Sequence, residues 1–85
     1  YEPIWSIGTG KAASVSDINE ALLMVRACLD RSFSGNLLET PVLYGGSINH
    51  NNCLEIFTQT EVSGFLVGGV SLKPKQTLEV IKLCS

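Results

Sequence analysis

The sequence predicts an α/β protein with parallel strands, and three observations carry that reading. Short apolar runs alternate with segments of helical periodicity, and the joining loops are short. The runs are continuously apolar rather than alternating, as expected of parallel strands covered by helices. Each run also stops at a glycine pair, in Leu43-Tyr44-Gly45-Gly46-Ser47-Ile48 and again in Leu66-Val67-Gly68-Gly69-Val70-Ser71-Leu72.

In order along the chain, Ser14 to Asp17 has the Ser-x-x-Asp spacing of a capping box, and Ile18, Leu22, Val25 and Leu29 then recur at helical spacing as one apolar stripe. The Ser, Gly and Asn residues between Ser32 and Asn36 break that helix. Pro41-Val42-Leu43-Tyr44 reads as a buried strand ended by Gly45-Gly46. Asn51 to Phe57 is expected to form a short helix with Leu54 and Phe57 on one side. Phe65-Leu66-Val67 is the next strand. Lys73-Pro74 opens a last helix, proline being well placed in a first turn, with Leu78, Val80 and Ile81 expected to face inward. Two strands leave both sheet edges unpaired and cannot stand alone.

Composition narrows the function classes. With 45% hydrophobic and 16% charged residues, 85 residues describe part of a compact, water-soluble body and one domain at most. The N-terminus Tyr1-Glu2-Pro3 has neither a starting Met nor the basic and apolar regions of a signal peptide, so the chain reads as a fragment. Six basic residues against eight acidic ones, scattered and without a basic run, argue against a nucleic-acid partner. No apolar run approaches the roughly 20 residues of a membrane-spanning helix, so no membrane partner is expected. Cys28, Cys53 and Cys84 form no Cys-x-x-Cys pair, which points to a reducing compartment and away from structural zinc. His50, the sole histidine, reads as a solvated loop or cap residue rather than a metal ligand.

The glycine pairs carry the chemistry. Where a strand ends in Gly-Gly, backbone N–H groups can approach an anion without a Cβ in the way, beside a helix N-terminus that favours negative charge. Either pair alone reads better as a tight strand-to-helix turn; two copies with hydroxyls beside them leave that turn and a phosphate cradle as equal alternatives. A further glycine segment, Gly8-Thr9-Gly10-Lys11, is not a phosphate loop, since Trp5 stands where its first glycine belongs and Ala12 where Ser or Thr would bind magnesium. It reads better as a mobile lid. Pro3 stiffens one end, Ile4, Trp5 and Ile7 form an apolar body, and Gly8 and Gly10 supply adaptable backbone.

Three long segments, Tyr1-Glu2-Pro3-Ile4-Trp5-Ser6-Ile7-Gly8-Thr9-Gly10-Lys11, Tyr44-Gly45-Gly46-Ser47 and Gly64-Phe65-Leu66-Val67-Gly68-Gly69-Val70-Ser71-Leu72-Lys73-Pro74, resemble the C-terminal signatures of the triosephosphate isomerase family in order and spacing. That family is itself the usual illustration of the eight-stranded (β/α) barrel, of a Glu base beside a neutral His and of loop closure, so these attributes come with the resemblance alone. The resemblance implies that residues 1–85 are the C-terminal three-eighths of a (β/α)8 TIM barrel: the end of strand six, its lid, then units seven and eight. Glu2 matches the general base that moves a proton through an enediolate. The backbone amides of Gly8, Ser47, Gly68 and Gly69 match the ligands of the substrate phosphate. Pro3, Ile4 and Trp5 match the first lid hinge, Lys11, Ala12 and Ala13 the second, and Tyr44 and Ser47 the groups that hold the lid closed.

By the same resemblance, Arg26 pairs with an acid before the last strand, here Glu61 where Asp is usual, and Ser63 replaces a second Asp. Ala12 and the Ser14-Val15-Ser16 segment also depart from the family pattern. Lys11 and Lys73 read as solvated. The family's catalytic Lys and electrophilic His lie upstream, so the fragment alone is expected to be inactive. The resemblance further implies a small phosphorylated triose as substrate, no cofactor, a cytoplasmic parent and a homodimer whose main contacts lie outside this fragment. The alternatives are another phosphate-binding (β/α)8 enzyme or a non-catalytic truncated product.

Overall fold

The computed structural model describes residues 1–32 and 40–85. In chain order a turn-rich N-terminal loop leads to α1 (Val15–Ser32), β1 (Leu43–Gly45), α2 (Cys53–Gln59), β2 (Gly64–Leu66), a 3-10 turn (Gly69–Leu72) and α3 (Pro74–Leu83). β1 and β2 are parallel, with Leu43 opposite Gly64, Tyr44 opposite Phe65 and Gly45 opposite Leu66. The expected α/β alternation with parallel strands is therefore present. On the other side of β1 the N-terminus is bonded like a further parallel neighbour: the Tyr1 amine donates to the Leu43 carbonyl at 2.7 Å, and the Gly45 N–H donates to the Tyr1 carbonyl at 2.7 Å. This pairing carries Glu2 to the end of β1.

Local signals fix the helix starts. At α1 the Asp17 N–H donates to Ser14 Oγ at 3.0 Å and the Ser14 N–H returns to Asp17 Oδ2 at 3.4 Å, the reciprocal bonds of a capping box. Pro74 begins α3, where the N–H it lacks would have had no intrahelical partner. Ser32 closes α1; the expected breaker residues 33–36 lie outside the described residues.

The core lies on one face of the sheet. Ile18 and Leu22 of α1, Cys53 and Ile56 of α2 and Val80 of α3 gather with Val42 and Tyr44, closed by Ala13, Ile48 and Val62. The strand period of two sends Leu43 and Leu66 to the opposite face, where they are 44% and 55% exposed. The strands are apolar on both faces, as expected, yet only one face is covered among the described residues.

Three expectations need correction. The helix expected from Asn51 to Phe57 spans Cys53–Gln59, and Leu54 is exposed because Cys53, Ile56 and the half-buried Phe57 form the inward stripe at i, i+3 and i+4. In α3 Val80 faces inward, with Cys84 one turn on, whereas Leu78 and Ile81 lie on another face at 51% and 57% exposure. The strands are also displaced by a residue or two, to Leu43–Gly45 and Gly64–Leu66, since pairing with Tyr1 and Val42 sets their limits.

Candidate active site

At the ends of β1 and β2 lies an open cleft of ≈ 470 Å³. Its walls include Glu2 after the N-terminal segment, Ile7, Gly8 and Gly10 of the loop, Ser47 after β1, and Gly68, Gly69 and Lys73 after β2. Glu2 and the four residues expected to bind phosphate through their amides thus converge on one space. The expected lid residues Pro3, Ile4, Trp5 and Lys11 stand outside it, as does Tyr44. Pro3 and Tyr44 are buried, while Ile4 is 86% exposed and Trp5 carries the Lys11 ammonium 5.7 Å above its ring centroid. Lys11 is exposed as expected; Lys73 is exposed too, but it also borders the cleft.

The two glycine pairs, alike in sequence, play different parts. A Cβ on Gly45 would stand 2.7 Å from Glu2 Cγ, and one on Gly46 would stand 2.7 Å from Ser6 Oγ and closer still to the Tyr44 hydroxyl. The first pair therefore clears room for the Glu2 side chain and for a hydrogen-bonded hub. Around Gly68 and Gly69 a Cβ would meet nothing within 4 Å, so this backbone is open to the cleft. The expected helix N-terminus backs only the second pair, and only as a single turn: Gly68 is the N-cap and Gly69 the first residue of the 3-10 turn, whereas α2 starts at Cys53, well beyond Gly46. The favourable field for an anion is left to individual N–H groups and to Lys73.

The loop from Pro3 to Ala13 is ordered by a network that reaches into the core. Gly8 and Gly10 take φ of 67° and 75°, a left-handed backbone that suits glycine. Ser6, fully buried, donates to the Lys11 carbonyl at 2.6 Å and accepts from the Ser47 N–H at 3.1 Å. The Tyr44 hydroxyl lies 3.2 Å from Ser6 Oγ and accepts the Ala13 N–H at 3.0 Å. Because the one Ser6 proton is already given to Lys11, Tyr44 is the donor to Ser6. Ser47 Oγ completes the hub by donating to the Ser6 carbonyl at 2.7 Å. Tyr44 and Ser47, expected to hold the lid, thus both contact the loop.

Sequence reasoning missed Ser6 as an individual and also missed the pair behind Ser47. Asn49 and Asn52 exchange bonds, Asn49 N–H to Asn52 Oδ1 at 2.9 Å and Asn52 N–H to Asn49 Oδ1 at 3.2 Å, while Asn52 Nδ2 holds the Ser47 carbonyl at 2.9 Å. The Asn-x-x-Asn spacing before a helix was the available signal, the amide analogue of a capping box.

Other expected residues are not brought together. Arg26 and Glu61 border a shallow groove on α1 but form no ion pair; the Arg26 guanidinium instead donates to the Thr40 carbonyl at 3.1 Å. An exposed pair gains little against a carbonyl already within reach. His50 is exposed, does not line the cleft, and lies 3.8 Å from a Glu79 carboxylate oxygen. Of the three free thiols, Cys28 is exposed and Cys53 is buried; Cys84, between these extremes, is pushed up to about 11 by burial and by the neighbouring Cys53 thiol. Among the described residues, no group of three or more His, Cys, Asp or Glu could hold a metal, and no helix is long and apolar enough to cross a membrane.

Comparison with known proteins bears on the same cleft. A family model described as triosephosphate isomerase matches residues 1–84. Proteins named triosephosphate isomerase are 46% identical over 83 residues in Dehalococcoides mccartyi strain BAV1, covering 96% of this chain and 33% of the relative. The one from Paracoccidioides lutzii is 48% identical over 75 residues, 87% of this chain and 30% of the relative. That from Colwellia psychrerythraea is 46% identical over 76 residues, 89% and 30% respectively. The chain therefore spans about a third of the length of the curated relatives it matches. With a family model matching nearly end to end, the chain belongs to the triosephosphate isomerase family.

Proposed function

We propose that residues 1–85 are the C-terminal three-eighths of a (β/α)8 barrel and that the whole protein interconverts dihydroxyacetone phosphate and D-glyceraldehyde 3-phosphate. In this reading Tyr1-Glu2 ends strand six, the loop to Ala13 is its lid, and β1 and β2 with their helices are units seven and eight. The single observation that carries the proposal is the convergence of Glu2 with Gly8, Ser47, Gly68 and Gly69 on one cleft. The uncovered apolar face bearing Leu43 and Leu66 supports a sheet completed by further units.

The chemistry follows from the residue types. The Glu2 carboxylate takes a proton from the carbon beside the substrate carbonyl and returns it to the neighbouring carbon, through an enediolate. The amides of Gly8, Ser47, Gly68 and Gly69 hold the phosphate as neutral, preorganised donors that need no ionisation. Pro3, Ile4, Trp5 and Lys11 act as lid hinges, and Tyr44 and Ser47 as its latch, so that closure shuts water out while the enediolate exists. Carbonyl polarisation falls to a Lys and a His of the missing units; His50 does not stand in, being outside the cleft. The parent is cytoplasmic and homodimeric, and this segment alone is inactive. In a coupled isomerase assay the full-length parent should turn over triose phosphate and the purified 85-residue chain should not. A parent without isomerase activity overturns the functional reading, and ordinary turnover by the short chain overturns the claim that it is incomplete.

A further inference from the structure

Asn52 occupies the N-cap of α2, yet its side chain makes no cap bond to that helix. Asparagine is among the best residues at this position because its side-chain oxygen ordinarily accepts an N–H of the first turn. Here the side chain turns back on the loop instead. Its Oδ1 accepts the Asn49 N–H at 2.9 Å and its Nδ2 donates to the Ser47 carbonyl at 2.9 Å, so a donor on one side and an acceptor on the other fix which way the amide points. Asn49 reinforces the turn, its Oδ1 accepting the Asn51 N–H at 2.8 Å and its carbonyl the Cys53 N–H at 3.0 Å. The segment is moored in the core by Ile48 and Cys53, both buried.

We infer that Asn52 is a positioning residue for the substrate phosphate: it ties the Ser47 carbonyl to the start of α2 and so keeps Ser47 at the cleft wall. This rests on the phosphate-cradle reading above. The N–H and Oγ of Ser47 are bonded to Ser6 in the N-terminal loop, so the Asn52 bond is the tie between Ser47 and the helix. Each residue has only two soft backbone dihedrals, and a clamp on the carbonyl therefore limits where the rest of Ser47 can swing. Ordering Ser47 in advance removes that entropic cost from phosphate binding. The side chain that would have capped α2 serves the cleft instead.

The test titrates the full-length parent with inorganic phosphate and measures KM, kcat and denaturant unfolding beside it. Asn52→Ser keeps an uncharged N-cap residue but loses both loop bonds. Asn52→Asp keeps the acceptor for the Asn49 N–H and removes only the donor to Ser47, setting an oxygen against that carbonyl. Both should weaken phosphate binding roughly fivefold, the order of one net hydrogen bond, with a matching rise in KM and little change in kcat. For Asn52→Asp the loss should persist at high salt, where the added charge is screened. That variant should unfold no more easily than the parent, because aspartate caps a helix as well as asparagine does, so affinity and stability separate. Folded variants that bind phosphate as well as an unaltered parent overturn this inference alone. A loss confined to Asn52→Ser, or one in Asn52→Asp that vanishes at high salt, overturns the clamp on Ser47. A parent that binds no phosphate overturns the cradle reading, and this inference with it.

Discussion

Placing a methyl group on Gly46 should damage the fold, while the same change at Gly69 should not. The Gly46 Cβ would enter a space bounded by Ser6 Oγ at 2.7 Å and by the still closer Tyr44 hydroxyl, both of them buried. Neither can simply swing away, because Tyr44 is fully buried in the core and Ser6 is held by the Lys11 carbonyl and the Ser47 N–H. Overpacking of this kind costs about 1–3 kcal/mol, and a buried hydroxyl or amide left without its partner adds about 1–3 kcal/mol. Gly46→Ala in the full-length parent should therefore lose about 2–6 kcal/mol in denaturant unfolding. Gly69→Ala, with nothing within 4 Å of the new methyl, should stay within about 0.5 kcal/mol but weaken phosphate binding by crowding the cleft. Gly45→Ala would press on the exposed end of Glu2 rather than on the core, so turnover should fall with little loss of stability. Equal stability losses at Gly46 and Gly69 would refute the claim that the two pairs do different things.

Other consequences can be checked separately. Ser14→Ala removes the acceptor of the Asp17 N–H and should cost about 1 kcal/mol of unfolding free energy, restored by Ser14→Asp. At Gly8 or Gly10, Ala has room but must take a positive φ, so a loss of about 1 kcal/mol is expected, and amide exchange in the loop should report a changed lid rather than a changed core. The Cys84 thiol, raised from 9.0 to about 11, favours its protonated form more in the folded state than in the unfolded one. Its stabilising contribution is full below pH 9 and is lost as pH rises from about 9 to about 11, so Cys84→Ser should flatten the fall in stability across that window. Alkylation at pH 8 should accordingly mark Cys28 first.

What the sequence made legible was mostly local. A capping box, a proline at the first turn and glycines at two strand ends each act within a few residues, and they located every helix start and both strands to within a residue or two. Helix faces were harder. Leu54, Leu78 and Ile81 are as apolar as Cys53, Ile56 and Val80, and only the sheet beneath selects which stripe is buried. The packing part of Gly45 and Gly46 was hidden for the same reason, since the groups that fill their space come from Glu2, Ser6 and Tyr44, and two of these lie far away in the chain. Ser6 escaped notice because a serine beside a glycine-rich loop looks solvated; its complete burial is decided by Tyr44 and Ser47. The convergence of Glu2 with the later loops was legible only through long family-like segments, because the Tyr1–Tyr44 pairing that creates it leaves no periodic trace.

The central claim is that Glu2 is the base of an isomerase site whose phosphate is held elsewhere, and Glu2→Asp in the full-length parent tests it most directly. Shortening the side chain by one methylene withdraws the carboxylate by about 1 Å without touching Gly68 or Gly69, and a displacement of that size can cost about 10²-fold in rate. The account predicts a fall of that order in kcat with the inorganic phosphate dissociation constant unchanged. An undiminished kcat, or a loss carried entirely by weaker phosphate binding, would contradict it.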